Sequence, residues 1–292
     1  MKNLRAAALF AVLSLFISAV PFATPTCAYN RRLPPSGFPV GGYSRWAGGG
    51  SGLSKVTGVH LSDGEDRPAN GPAGVYPPGE EVVHGQLVRW EPRKMPLYVF
   101  ISNGVKLPDV PFSQLQQTRV ELVAAMLRSD SPDPFYGLDR AAGWTPETND
   151  LVALGIEQWR EFQNEGLFKY KFVDDPRKAH ILVFFTDSFK DANSPGGIMV
   201  GGNTCAQIFT LSQSQSMNLQ KPVVIELSTM VNHSPERMQG AAAHEFGHAL
   251  GIKAHSPYRQ DIMYVDRVVN ELSPSDKMTI RWLYHQPLKW VM

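Results

Sequence analysis

Residues 241–255 read Ala-Ala-Ala-His-Glu-Phe-Gly-His-Ala-Leu-Gly-Ile-Lys-Ala-His, and no other stretch limits the possible folds as strongly. Side chains four apart on a helix lie one above the other, so His244 and His248 can present two imidazoles to one point. Glu245 projects from the adjoining position, close enough to reach a ligand of a bound ion without being a ligand itself. Gly251 accepts the left-handed conformation that ends a helix sharply. The turn after it can bring His255 back toward the same point as a third imidazole. A helix through residues 241–250 followed at once by a reversal is the first requirement on the fold.

The chain has 292 residues, 43% of them hydrophobic, which is enough for a full core and excludes a wholly disordered protein. A formal charge of +1 gives no reason to expect nucleic acid as a partner. Two cysteines, Cys27 and Cys205, exclude a disulfide framework, a cysteine-rich zinc module and an iron–sulfur cluster. Any metal must then be held by histidine and carboxylate.

The 25 Gly and 23 Pro are unevenly placed. Met1-Lys2-Asn3-Leu4-Arg5, an apolar run over residues 6–20 and small residues ending Thr26-Cys27-Ala28 form the three-part pattern of a secretory signal peptide, residues 1–28. The apolar run is shorter than the about 20 residues that span a bilayer, so no stable membrane insertion is expected after cleavage. The expected location is extracellular or periplasmic, in the cell envelope. Residues 29–81 carry Gly48-Gly49-Gly50-Ser51-Gly52 and Pro77-Pro78-Gly79 with almost no apolar periodicity, and are expected as a disordered linker or pro-segment. The folded domain is expected over residues 82–292, as a monomer.

Within it, β-branched and aromatic runs predict strands over residues 97–102, 168–173, 180–186, 207–211 and 223–227. The second alternates apolar and polar residues, which predicts one exposed face; the third and fifth are nearly continuous apolar runs, which predicts cover on both faces. Thr145-Pro146-Glu147, Ser234-Pro235-Glu236 and Ser273-Pro274-Ser275-Asp276 each offer a hydroxyl cap, an early proline and an early carboxylate. They predict helices ending near residues 164, 251 and 284, with a further helix over residues 112–128. This order of elements predicts an α+β, or mixed α/β, fold.

Three neutral imidazoles at His244, His248 and His255 would leave a Zn²⁺ ion one open tetrahedral position, the pattern of a catalytic site. Zinc lowers the pKa of a bound water and polarises a carbonyl, and Glu245 would accept that water's proton and pass it to a leaving amine. The expected reaction is amide hydrolysis. Among the remaining candidates, His180 reads as a core or edge histidine, Cys205 as a small buried residue, and Trp159, Phe162, Trp282 and Leu283 as core. Asp63, Glu65 and Asp66 read as a solvated acidic turn, so calcium is without support.

The same residues resemble the metzincin metalloproteases, most closely the matrixin-like branch. The likeness rests on His-Glu-Phe-Gly-His-Ala-Leu-Gly-Ile, on His255-Ser256-Pro257, and on Ile262-Met263-Tyr264, which is similar to the methionine turn beneath the zinc. It extends more weakly to residues 155–159, 178–184 and 272–284. It implies a zincin-like fold: a twisted, mostly parallel five-stranded sheet with one antiparallel edge strand, packed on long helices. It also implies a secreted zinc endopeptidase that holds a protein or peptide substrate extended along the edge strand, for which residues 207–211 are the candidate. Two departures stand out. Ala254 occupies the usual place of the third histidine, with His255 one residue later, as in bacterial matrixin-like sequences; and neither a structural-zinc pattern nor a cysteine-switch peptide is present. Two alternatives remain open: a zinc peptidase with Glu271 as third ligand, and a binding or envelope protein that uses a zincin scaffold without hydrolysis.

Overall fold

The computed structural model describes residues 74–79, 87–191, 194–217 and 221–292. Five strands form the main sheet: β1 (Leu97–Lys106), β2 (Tyr170–Phe172), β3 (Ile181–Thr186), β4 (Gly202–Cys205) and β5 (Val223–Ser228). Their spatial order is β2-β1-β3-β5-β4. All neighbours run parallel except β4, which pairs antiparallel with β5 at one edge. This is the mixed α/β sheet expected from the sequence.

Both faces of the sheet are covered, because β3 and β5 are apolar at successive positions. Ile181, Val183, Phe185, Val223, Ile225 and Leu227 join the larger core, beneath α2 (Pro146–Glu157) and α3 (Pro235–Leu250). Leu182, Phe184 and Val224 point the other way, into a smaller core with α1 (Leu115–Leu127). A strand's alternation thus divides one apolar run between two cores. Phe172, in the alternating strand β2, is 40% exposed. Trp159, Phe162 and Leu283 are buried as expected, whereas Trp282 is only partly so.

The proline-marked helix starts occur where the sequence put them. Ser234 accepts the Arg237 N–H, and Ser273 and Asp276 exchange hydrogen bonds at the start of α4 (Pro274–His285). The buried end of α3 is held more elaborately. A helix leaves its last four carbonyls without internal partners. Here the Gly247 carbonyl accepts the Ile252 N–H and that of His248 accepts the Gly251 N–H. Those of Ala249 and Leu250 accept the Trp90 indole N–H and the Tyr284 hydroxyl.

Gly251 makes this turn with φ +117, and a Cβ there would fall 2.1 Å from the Val88 carbonyl oxygen. Gly251→Ala is expected to cost on the order of 3 kcal/mol, from left-handed strain and overlap with backbone. The midpoint of urea unfolding at constant slope measures it; a loss below about 1 kcal/mol would mean that the turn relaxes around a methyl group.

Two expectations are corrected. The antiparallel edge strand is β4, not residues 207–211; Phe209–Thr210 instead pairs with Trp290–Val291 in a small separate sheet that also contains Val88–Arg89. Sequence alone does not mark this edge strand, because Gly-Asn-Thr-Cys carries almost no β-branched apolar signal. Its burial serves polar contacts.

Order also begins before residue 82. Tyr76 is fully buried, its N–H donating to the Thr279 hydroxyl and its own hydroxyl to Asp276 Oδ1 (2.8 Å). The Pro78 carbonyl accepts the N–H groups of Lys253 and Ala254, at 2.7 and 3.2 Å. Tyr76 and the Pro78 carbonyl thus tie down a segment of six residues that composition assigned to a linker. The expected signal peptide, most of the expected linker, and Asp63, Glu65 and Asp66 lie outside the described residues.

Candidate metal centre

His244, His248 and His255 come together, each offering a ring nitrogen such that all three lie within 4.8 Å of one another. The first two stand one turn apart on α3. His244 Nδ1 lies 2.6 Å from the Ile262 carbonyl, and His248 Nδ1 2.6 Å from that of Ile252. A carbonyl only accepts, so both Nδ1 atoms carry the proton, and both Nε2 atoms are left with a lone pair. These two Nε2 atoms lie 3.1 Å apart. Two lone pairs facing at that distance repel unless a cation lies between them. Tetrahedral zinc with Zn–N of about 2.0–2.1 Å sets neighbouring nitrogens about 3.3 Å apart, so the donor set and its spacing fit that ion.

His255 completes the group, its ring stacked against His244 (5.3 Å between centroids) and perpendicular to that of His248 (5.0 Å). The extra residue before it is absorbed by the loop. Lys253 and Ala254 are tied to Pro78, and Lys253 Nζ donates back to the His248 carbonyl. Ser256 then fixes the register: its N–H donates to the Met263 carbonyl (2.8 Å) and its hydroxyl to the buried carboxylate of Asp261. Asp261 also accepts from Ser273 (2.6 Å), and Asp276 accepts the Ile262 N–H (2.8 Å). Met263, fully buried, reaches the space above Gly247, one residue before His248. Sequence pattern indicated the methionine turn, but not that two buried aspartates brace it.

Glu245 is buried beside the triad on the edge-strand side. The Thr204 hydroxyl, from β4, donates to Glu245 Oε2 (2.7 Å). Gly202 makes this approach possible, since a Cβ there would fall 2.5 Å from Glu245 Oε1. Neither Gly202 nor Thr204 was identifiable from sequence, because the contact joins residues 41 positions apart. Glu271, the alternative third ligand, is exposed and lies outside the histidine group; His180 accepts the Tyr98 N–H from within the core region. Cys205 is buried and receives the Asn203 amide.

Burial sets the protonation of the group. It lowers the His244 pKa to about 3 and that of His248 well below its ordinary range, with the neighbouring imidazoles acting in the same direction, and it lowers His255 to about 4 against the charge of Asp266. All three are neutral near pH 7, as metal ligands must be. Burial raises Glu245 to about 7, opposed by the Thr204 hydrogen bond and the charge of Arg267.

The triad and Glu245 open into a cleft of about 330 Å³ between the edge strand, α3 and residues 265–268. Met199, Val265 and Val268, all exposed, give it an apolar rim. A wider surface hollow at Asn103, Arg140 and Trp144 carries neither histidine nor carboxylate. Among the described residues no helix is long and apolar enough to cross a membrane.

The matrixin peptidase family model matches residues 133–285, a span that includes α2, the whole sheet beyond β1, the histidine group and all of α4. No curated protein matches the chain.

Proposed function

Since the chain belongs to the matrixin family of metalloproteases, we propose that it is a zinc-dependent endopeptidase whose ion is held by His244, His248 and His255 and whose general base is Glu245. The observation that carries this reading is the pair of Nε2 lone pairs 3.1 Å apart, with a third imidazole beside them and a buried carboxylate on the next residue. When bound, zinc supplies a Lewis acid that polarises a carbonyl and acidifies water. The chain does the rest. The Ile262 and Ile252 carbonyls fix which nitrogen of each imidazole faces the cleft. Thr204 holds the Glu245 carboxyl in place while leaving Oε1 to take a proton from the attacking water and release it to the leaving amine. Low-dielectric surroundings make that carboxylate a stronger base than an exposed one.

An extended substrate backbone would add a strand beside β4, where Gly201, Gly202 and Asn203 line the cleft. Unfolded or loop segments of proteins are therefore the substrates. The leader over residues 1–28 directs export, and residues 74–292 form the catalytic unit.

The test uses the full chain. Purified protein is expected to contain about one zinc per molecule and to cleave an unfolded protein. A strong chelator should abolish cleavage and added zinc restore it. Zinc-loaded protein that cleaves no peptide bond would overturn the proposal.

A further inference from the structure

Arg267 lies just beyond the methionine turn and returns over the first half of α3. Its guanidinium occupies the space that a side chain at position 240 would fill: a Cβ on Gly240 would fall 2.3 Å from Arg267 Nη1 and 3.0 Å from Cζ. Glycine within a helix is unfavourable; here it makes a seat for a cation. Nη1 donates to the Val269 carbonyl and Nη2 to the Arg237 carbonyl, both at 2.9 Å. Those bonds use two of five N–H groups. Among the described residues no carboxylate forms a direct ion pair with this guanidinium; burial lowers its pKa to about 10, and the Glu245 carboxylate acts on it in the opposite direction. A half-buried cation fixed by backbone carbonyls, with donors to spare, is prepared to bind an anion.

The same guanidinium lines the cleft that holds His244, Glu245 and His255. Arg237, exposed, brings a second positive charge to the wall, while Glu245 and Asp266 supply the negative charges. Val231, Val265 and Val268 line the same cleft and give it apolar surface. Arg267 is near enough to Glu245 to act on its charge. A group that gives its proton to the leaving amine adjoins the residue that carries this amine.

Building on the peptidase reading, we propose that the cleft selects substrates with a carboxylate on the amine side of the cut bond, and that Arg267 is the specificity-determining residue. Guanidinium and carboxylate meet through two parallel N–H···O bonds, a geometry that an uncharged amide does not reproduce. A buried polar group left unpaired also rejects the analogue that lacks its partner more strongly than an apolar pocket rejects a misfit. The carboxylate has two sources. It is either the side chain of Glu or Asp directly after the cut bond, or the free terminus of a short leaving segment.

The experiment uses zinc-loaded full chain and peptides that differ only at the residue after the cut bond, Glu, Gln, Leu or Lys, each made with a free and an amidated C-terminus. Cleavage is measured on the wild type and affinity on Glu245→Gln, with and without changes at position 267. The Glu peptide is expected to exceed its Gln counterpart by about 10- to 100-fold in kcat/KM and in affinity, the range of a charged hydrogen bond. Arg267→Gln should bring that ratio to near one, and Arg267→Glu should turn it toward Lys. Arg267→Lys, which keeps the charge and loses the fork, should fall between. Preference for Glu in amidated peptides identifies the side chain; preference for the free acid alone identifies the terminus. Equal or better use of Gln and Leu whatever the terminus would overturn the proposal, as would an unchanged ratio in folded Arg267→Gln or Arg267→Lys protein. Failure of the wild type to cleave any peptide would sink the peptidase reading instead, with the affinity ratio still deciding this one.

Discussion

Glu245→Gln is expected to retain zinc and to lower kcat/KM for peptide hydrolysis by about 10³-fold, within the range that positioned general bases supply. The amide is nearly the same size as the carboxyl and its oxygen still accepts from Thr204, so the packing against Gly202 survives. What disappears is a group that can take a proton. Zinc content by elemental analysis and turnover of one peptide measure the two halves of this result. Activity within tenfold of wild type would remove Glu245 from the reaction.

The same substitution makes a prediction about stability. Burial raises the Glu245 pKa from 4.5 to about 7, so in zinc-stripped protein the folded state holds this proton more tightly than the unfolded chain. The group's contribution is therefore fully present below pH 4.5 and is lost as pH rises through about 7. Above that, its buried charge costs about 3 kcal/mol. Zinc-stripped Glu245→Gln should thus be more stable than zinc-stripped wild type at pH 8, with the advantage vanishing near pH 4. Bound zinc should shrink it by favouring the carboxylate.

Loss of one imidazole is the second large effect. Zinc sites contribute about 10–16 kcal/mol in small zinc-binding peptides, or roughly 3–4 kcal/mol for each ligand. His255→Ala is therefore expected to weaken zinc binding by about 10²- to 10³-fold. Glu271→Ala should leave it unchanged, since Glu271 is exposed and apart from the group. Competition with a metallochromic chelator reads both; weakening only in the Glu271 variant would transfer the third ligand to that residue. Zinc should persist as pH falls until protons compete near pH 4, because burial holds His244 and His255 neutral down to about 3 and about 4. Stripped of zinc, the fold should lose stability as pH falls from 6.5 toward those values, since the unfolded chain takes protons there that the folded imidazoles refuse.

The parts of this site legible in sequence are those set by local spacing. His244, Glu245 and His248 are fixed by helical period, Gly251 by its backbone freedom, and the helix starts by Ser-Pro and Thr-Pro pairs that act within one turn. Strands β3 and β5 were legible because cover on both faces demands unbroken apolar runs. Long-range contacts left no comparable mark. Thr204 and Gly202 matter through Glu245, 41 and 43 positions away, and nothing local distinguishes their strand from a polar turn. Arg267 is a single charge in a loop until Gly240 is seen beneath it. Tyr76 sits among prolines and glycines that signal a linker, and only its buried hydroxyl on Asp276 shows otherwise.

Tyr76 and Asp276 stand 200 positions apart, and Pro78 meets the loop that carries His255. Contacts so distant along the chain close large loops and form slowly, after helices and neighbouring strands. The first two imidazoles are spaced as soon as α3 forms, but the loop bearing the third gains its contact with Pro78 only when the two ends of the domain meet. A chain still emerging from synthesis, with α4 not yet made, has neither Asp276 nor Thr279 to receive Tyr76. The Pro78 contact behind the third histidine is thereby linked to the making of α4, and a copy without α4 lacks the two acceptors that seat Tyr76.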